Sequence, residues 1–192
     1  MCKDILIDLP IPFYTQKVNN YKEEGFKSEE DAKYWETSGC GIASVRMIID
    51  GFRIKSKKSK CMRQGEMIYL GLEKGAYCDI GWIHSGLVEI AKEYDVIGIT
   101  HRNSSIDCIE KDILDNKPCM ISASPRFDND GSQPKGGHLV VALGIRYEEE
   151  KLQGFIINHP SSKDETSWER KYISLQDFIN SFSGNYISFT SI

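Results

Sequence analysis

The sequence predicts an α+β fold, and three observations predict it. Apolar residues at helical spacing dominate the first 115 positions. Unbroken apolar runs of strand length follow Pro118. The two kinds of segment do not alternate as a chain of βαβ units would require. The bulk numbers agree: 192 residues suffice for one domain with a sizeable core, and 40% hydrophobic with 27% charged residues is ordinary for a globular chain.

Residues 5–16 read as an opening strand, broken by Pro10 and Pro12 and ending in Pro12-Phe13-Tyr14-Thr15-Gln16. Residues 17–36 are polar and predict loop with a short helix near Glu29–Lys33, and Thr37-Ser38-Gly39 is turn chemistry. From Gly41 to Phe52, Ile42, Val45, Ile48, Ile49 and Phe52 follow helical spacing and predict a helix with one buried face. Basic residues 53–63 form a connection, and Gln64–Glu73 is a second helix stopped by Gly75. Ile83–Tyr94 is an amphipathic helix, followed by a short strand at Val96–Thr100. Ser105–Asp115 is a further helix, with Ser105 as its cap and Asp107 and Glu110 toward its positive end.

Cys119–Ser124 predicts a buried strand, and residues 125–137, rich in Asp, Asn, Gly, Ser and Pro, a flexible loop. Leu139–Ile145 is unbroken apolar sequence of strand length and predicts a central strand. Glu148-Glu149-Glu150-Lys151 turns the chain, and Leu152–Asn158 pairs back as the hairpin partner. Leu175–Ser181 closes as a short helix and Tyr186–Thr190 as the last strand.

The composition excludes several function classes. A formal net charge of -4 gives no reason to expect nucleic acid or an anionic membrane as partner, and the basic patch from Lys55 to Lys60 reads as a solvated loop. No segment approaches the length of a membrane span, and Met1-Cys2-Lys3-Asp4 lacks the apolar stretch of a leader. The expected location is therefore the cytoplasm, or the exterior had a leader been removed. Six cysteines at 2, 40, 61, 78, 108 and 119 are scattered through a chain with a good apolar core, which predicts mostly reduced thiols. With no Cys-x-x-Cys pair and no Cys/His cluster, neither zinc nor any other cofactor is expected.

Ser38-Gly39-Cys40-Gly41-Ile42-Ala43-Ser44 puts a thiol at the head of the first clear helix. Unpaired N–H groups and the positive helix end favour a thiolate there and can hold an oxyanion. A lone cysteine is as readily a small buried hydrophobe; its companions decide. Gly136-Gly137-His138 opens the central strand and sets an imidazole at a sheet end, able to take a proton from Cys40 and return it to a leaving amine. Asn158-His159-Pro160 ends the partner strand, so the hairpin alone brings His138 beside Asn158 and His159, where a side chain can orient the imidazole. Gln16 offers a side-chain amide to an oxyanion, or is simply an exposed polar residue.

Pro12-Phe13-Tyr14-Thr15-Gln16, Ser38-Gly39-Cys40-Gly41-Ile42-Ala43-Ser44, Gly137-His138-Leu139-Val140-Val141-Ala142-Leu143-Gly144 and Ile157-Asn158-His159-Pro160 come in that order. Together they resemble the papain-like cysteine peptidases of the bacteriocin-processing group (double-glycine leader peptidase-like), especially its stand-alone bacterial relatives. The likeness runs from Pro12 to Phe182. It implies one papain-like domain over residues 1–192, with a helical part carrying the cysteine and an antiparallel sheet carrying the histidine. It also implies that Cys40 attacks, His138 acts as base and acid, and Gln16 lines the oxyanion hole.

The pattern departs from the family in one place. The family usually has Asp or Asn directly before the proline; here His159 stands there and Asn158 precedes it. Either residue is left as the one that orients His138. A smaller departure is Ile42, where many relatives carry proline.

Trp82 and His84 read as core or cap packing, with a cleft wall as the alternative, and Tyr14 and Trp35 read the same way. Arg126–Lys135 is a surface loop or a lid beside His138. The functions left open are a peptidase or amide hydrolase working through a Cys40 thioester on a peptide or amide substrate, an acyl or peptidyl transferase or deamidase on the same fold, and a catalytically silent papain-like binding module. The oligomeric state is not legible.

Overall fold

A computed structural model describes residues 2–60, 62–127, 130–132 and 134–192. Its centre is a seven-stranded, fully antiparallel sheet. Strands β1 (Cys2–Leu6), β4 (Val96–His101), β5 (Cys119–Ala123), β6 (His138–Glu148), β7 (Lys151–Pro160), β8 (Ser167–Ser174) and β9 (Phe182–Ser191) contribute to it. The order is β4-β9-β5-β6-β7-β8, and β1 pairs with the far end of β6. The α+β expectation holds.

The first eight residues of β6 are all buried, which is why this strand reads as an unbroken apolar run: no face is left to water. Helix α2 (Cys40–Lys55) packs against it, with Ile42, Val45, Ile48 and Ile49 fully buried. The Ser44 hydroxyl donates to the Leu139 carbonyl at 3.0 Å, pinning the helix start to the strand start. Helices α3 (Gln64–Glu73) and α4 (His84–Lys92) pack against α2, α5 (Ile106–Leu114) lies against β5 and β6, and α6 (Leu175–Ser181) covers β7 and β8.

Several elements differ from the sequence reading, each for a local reason. The opening strand is Cys2–Leu6 rather than 5–16. Pro10 and Pro12 offer no N–H to a ladder, and the chain beyond Leu6 runs irregularly, burying Ile7, Leu9 and Ile11. The short helix expected at Glu29–Lys33 is α1, Glu29–Ser38, capped by the Ser28 hydroxyl, which accepts the Asp31 N–H at 3.1 Å. Thr37 and Ser38 therefore close a helix, and Gly39 alone breaks the chain before α2. A Cβ on Gly39 would lie 2.6 Å from the Trp35 carbonyl oxygen, so glycine is needed for the two helices to meet.

Ser105 stands at the cap position of α5, but its hydroxyl makes no capping bond and lies 3.6 Å from the Cys108 sulfur. A two-stranded hairpin, β2 (Tyr77–Cys78) with β3 (Gly81–Trp82), and the whole of β8 were not anticipated. The described cysteines 2, 40, 78, 108 and 119 are free thiols; Cys61, and residues 128, 129 and 133 of the Arg126–Lys135 loop, lie outside the described residues. Among the described residues no helix is long and apolar enough to cross a membrane.

Candidate active site

Cys40 is the first residue of α2, and its sulfur faces the start of β6. The backbone N–H of Leu139 points at it, as do those of Gly41 and Cys40 itself. These dipoles favour the thiolate, but burial outweighs them, so the net pKa is raised above that of an ordinary thiol. The helix head is crowded: a Cβ on Gly41 would lie 2.6 Å from Trp82 Cγ, and the Trp82 indole donates to the Ser38 carbonyl at 2.7 Å.

His138 is the first residue of β6 and follows Gly136 and Gly137, both at positive φ (95° and 90°), a backbone that L side chains rarely adopt. His138 lines the same cleft as Cys40, about 290 Å³ in volume, walled also by Tyr77, Asp79, Ile80 and Trp82. His84 and Ser122 lie in the lining as well, so the cleft alternative applies to Trp82 and His84. No hydrogen bond joins the Cys40 sulfur to the His138 ring. The ring instead stacks on His159, with centroids 4.4 Å apart and planes inclined by 22°. Its Nε2 is buried without a partner. Burial first, and His159 second, push the His138 pKa down to about 3.

His159 Nε2 lies 3.1 Å from the Pro125 carbonyl oxygen, which can only accept, so Nε2 carries the proton and the buried, unpartnered Nδ1 holds a free lone pair. Phe127 and Trp168 enclose the ring at centroid distances of 6.2 and 5.1 Å, and burial pushes its pKa down to about 4. Asn158 is elsewhere. Its register with Val141 puts it on the Val141 side of the sheet, whereas His159 shares the side of Val140 and His138. The Asn158 side chain accepts the Arg170 N–H at 2.8 Å, where β8 bulges at positive φ, and its amide lies 3.6 Å from the Met47 sulfur. Of the two candidates, His159 meets His138 and Asn158 does not.

Gln16 is buried rather than exposed. Its Cβ side packs toward Gly39, and Nε2 donates one hydrogen to the Glu36 carbonyl at 2.6 Å, leaving the second. Gln64, which the sequence reading passed over, holds this strip in place by donating to the Gln16 carbonyl at 3.2 Å. Tyr77, Asp79 and Ile80 were also passed over. Aromatic and turn residues around a two-residue tip, Asp79-Ile80, were the available signal. Tyr14 bonds Asp50 through its hydroxyl at 2.8 Å, and Trp35 packs among Tyr34, Tyr77 and Trp82. Among the described residues no three His, Cys, Asp or Glu side chains are gathered as metal ligands would be.

A family-wide sequence profile described as Peptidase_C39 like family matches residues 8–191. No curated protein sequence matches the chain. Among solved structures, a protein from Bacillus anthracis described as C39-like peptidase superposes with a TM-score of 0.58 at 16% identity, covering 97% of this chain and 98% of that one. The peptidase domain of Streptococcus ComA, a bi-functional ABC transporter involved in a quorum-sensing pathway, superposes with a TM-score of 0.50 at 16% identity, covering 81% of this chain and 93% of that one. Identities this low carry the fold, and the profile carries the family: the chain belongs to the Peptidase_C39 like family, cysteine peptidases of papain-like fold.

Proposed function

We propose that residues 1–192 act as one papain-like domain that cleaves peptide or amide bonds through a thioester on Cys40. The observation that carries this reading is the shared cleft in which the Cys40 sulfur, cradled by three backbone N–H groups, opens onto the same space as the His138 ring. His138 takes the thiol proton as sulfur attacks the carbonyl carbon. The oxyanion is held by the Cys40 N–H and the second Nε2 hydrogen of Gln16. His138 then gives its proton to the leaving amine, the C–N bond breaks, and a water that surrenders a proton to His138 releases the acid.

Burial holds both partners neutral at rest, the thiol by a raised pKa and the imidazole by a lowered one. Proton transfer therefore accompanies substrate attack rather than preceding it. His159 is the positioning residue: it stacks on His138 from the place where relatives usually carry Asp or Asn. Asn158 instead serves the β8 bulge.

The test is iodoacetamide labelling followed residue by residue, together with hydrolysis of peptide mixtures. With its thiol held neutral at rest, Cys40 is expected to label no faster than the exposed Cys2 and Cys108 in the free protein, and Cys40→Ala is expected to stop hydrolysis. Hydrolysis that survives Cys40→Ala refutes the proposal, and a free Cys40 that labels well ahead of the exposed cysteines refutes a thiol held neutral at rest. One observation favours a silent binding module, namely the unpartnered Nε2 of His138. That reading predicts peptide binding by the unaltered protein with no hydrolysis over days.

A further inference from the structure

The tip of the β2–β3 hairpin overhangs the cleft and carries two side chains that the fold does not use. Asp79 is exposed, lines the cleft with Cys40 and His138, and makes no hydrogen bond or ion pair among the described residues. Beside it, Ile80 is 97% exposed, more than any other large apolar side chain among the described residues. Among the described residues the rest of the wall offers no competing full charge. Thr37, Ser38, Tyr77 and Trp82 are uncharged there, and burial together with the nearby Arg102 lowers the pKa of His84 and keeps its ring neutral. Among the described residues of the lining, Asp79 is thus the one fixed charge facing whatever enters, and it has no partner among them.

We infer that Asp79 and Ile80 form the specificity element of the cleft and select peptides that carry a basic side chain next to an apolar one. The inference rests on the peptidase reading above and names its substrate class. A lysine or arginine reaching Asp79 pairs a lone carboxylate, whereas an acidic residue meets like charge. An apolar neighbour covers Ile80, which otherwise stays in water. Strands of two residues each hold the tip, with Gly81 at φ 111° turning the chain back, so the two side chains are presented side by side.

The test uses the full chain carrying Cys40→Ala, which binds without cleaving, and an acetylated, amidated random octapeptide library. The bound fraction is sequenced by mass spectrometry. Lys and Arg are expected to exceed Asp and Glu at one position by about fivefold, the effect of one partly screened ion pair, with apolar residues enriched next to it. Asp79→Lys is expected to reverse the charge preference. Ile80→Ser is expected to remove the apolar enrichment and leave the basic one. A library without positional enrichment overturns the inference, as does an Asp79→Lys protein that selects the same basic residues. Both substitutions fall on exposed side chains, and an unchanged melting temperature confirms that the fold is intact. The peptidase reading is judged separately by hydrolysis with unaltered Cys40. A protein that selects basic peptides and cleaves none refutes that reading and leaves the specificity element standing.

Discussion

Replacing His159 by aspartate puts a negative charge against the ring of His138, where the stacked neighbour is now a neutral imidazole. The two rings lie 4.4 Å apart. A unit charge at that separation, with an effective dielectric of about 20, stabilises the imidazolium by about 4 kcal/mol. The proton affinity of His138 then rises by roughly two to three orders of magnitude. The share of Cys40 held as thiolate beside an imidazolium rises with it, so iodoacetamide labelling of Cys40 at pH 7 is expected to accelerate by at least about tenfold. His159→Asn is the matched control. It removes the same ring and the same bond to the Pro125 carbonyl but adds no charge, and it is expected to label within about threefold of the unaltered protein, the usual scatter of such context effects. Thermal melts of both variants separate loss of fold from loss of reactivity. An aspartate variant that is folded and labels no faster than the asparagine variant refutes the assignment of His159 to the orienting position.

Acid is expected to destabilise the fold through the same pair. His138 and His159 are held to about 3 and about 4, below the ordinary 6.5, so the unfolded chain binds their protons first. Their contribution is complete above pH 6.5 and is lost as pH falls through 4 toward 3. By pH 5 each gives up about 2 kcal/mol, and a urea midpoint identical at pH 7 and pH 5 contradicts this. Asn158→Leu leaves the Arg170 N–H without its acceptor and is expected to cost about 1–3 kcal/mol in denaturant titrations while Cys40 labelling at pH 7 keeps its rate. A collapse of labelling in a folded Asn158→Leu protein would return Asn158 to the site. Gly41→Ala drives a methyl into the Trp82 ring, where the nearest atoms lie 2.6 and 2.8 Å away. An expected loss of about 1–3 kcal/mol, with a shift in tryptophan fluorescence, checks that crowding.

What could be read from the sequence was what one segment settles by itself. Helix α2 announces its buried face by spacing, and β6 announces burial on both faces by having no polar position between Leu139 and Leu143. The meeting of Cys40 and His138 in one cleft was legible because each stands at the first residue of its element, and element ends are where side chains reach open space. Strand β8 was not legible. It lies at the sheet edge, its Ser167–Ser174 pattern is half exposed, and Arg170 at positive φ breaks the alternation. The hairpin at 77–82 is too short to show a period. The choice between Asn158 and His159 needed the register of β7 on β6, which shifts between Ala142 and Gly144 and cannot be counted from the turn at 148–151.

That same register explains why three consecutive residues can bear so much of the site. Gly137 faces open space, where any side chain would project into the cleft and where φ of 90° would strain it. His138 supplies the ring. Leu139 touches α2 twice through its backbone, its N–H toward the Cys40 sulfur and its carbonyl receiving the Ser44 hydroxyl. The distance between nucleophile and base is therefore set by covalent neighbours rather than by long side chains, and it survives only while Ala123 pairs with His138 on β5. A slip of one residue in that ladder would turn the ring to the opposite side of the sheet and carry the Leu139 N–H away from the sulfur. The buried stack on His159 works against such a slip, because the slip would pull the ring off its buried neighbour. An imidazole stacked on a neutral neighbour keeps its place at the cost of its basicity. The low pKa of His138 is thus a consequence of how the ring is held, and a carboxylate at position 159 raises its basicity by giving up the stacked ring for a charge.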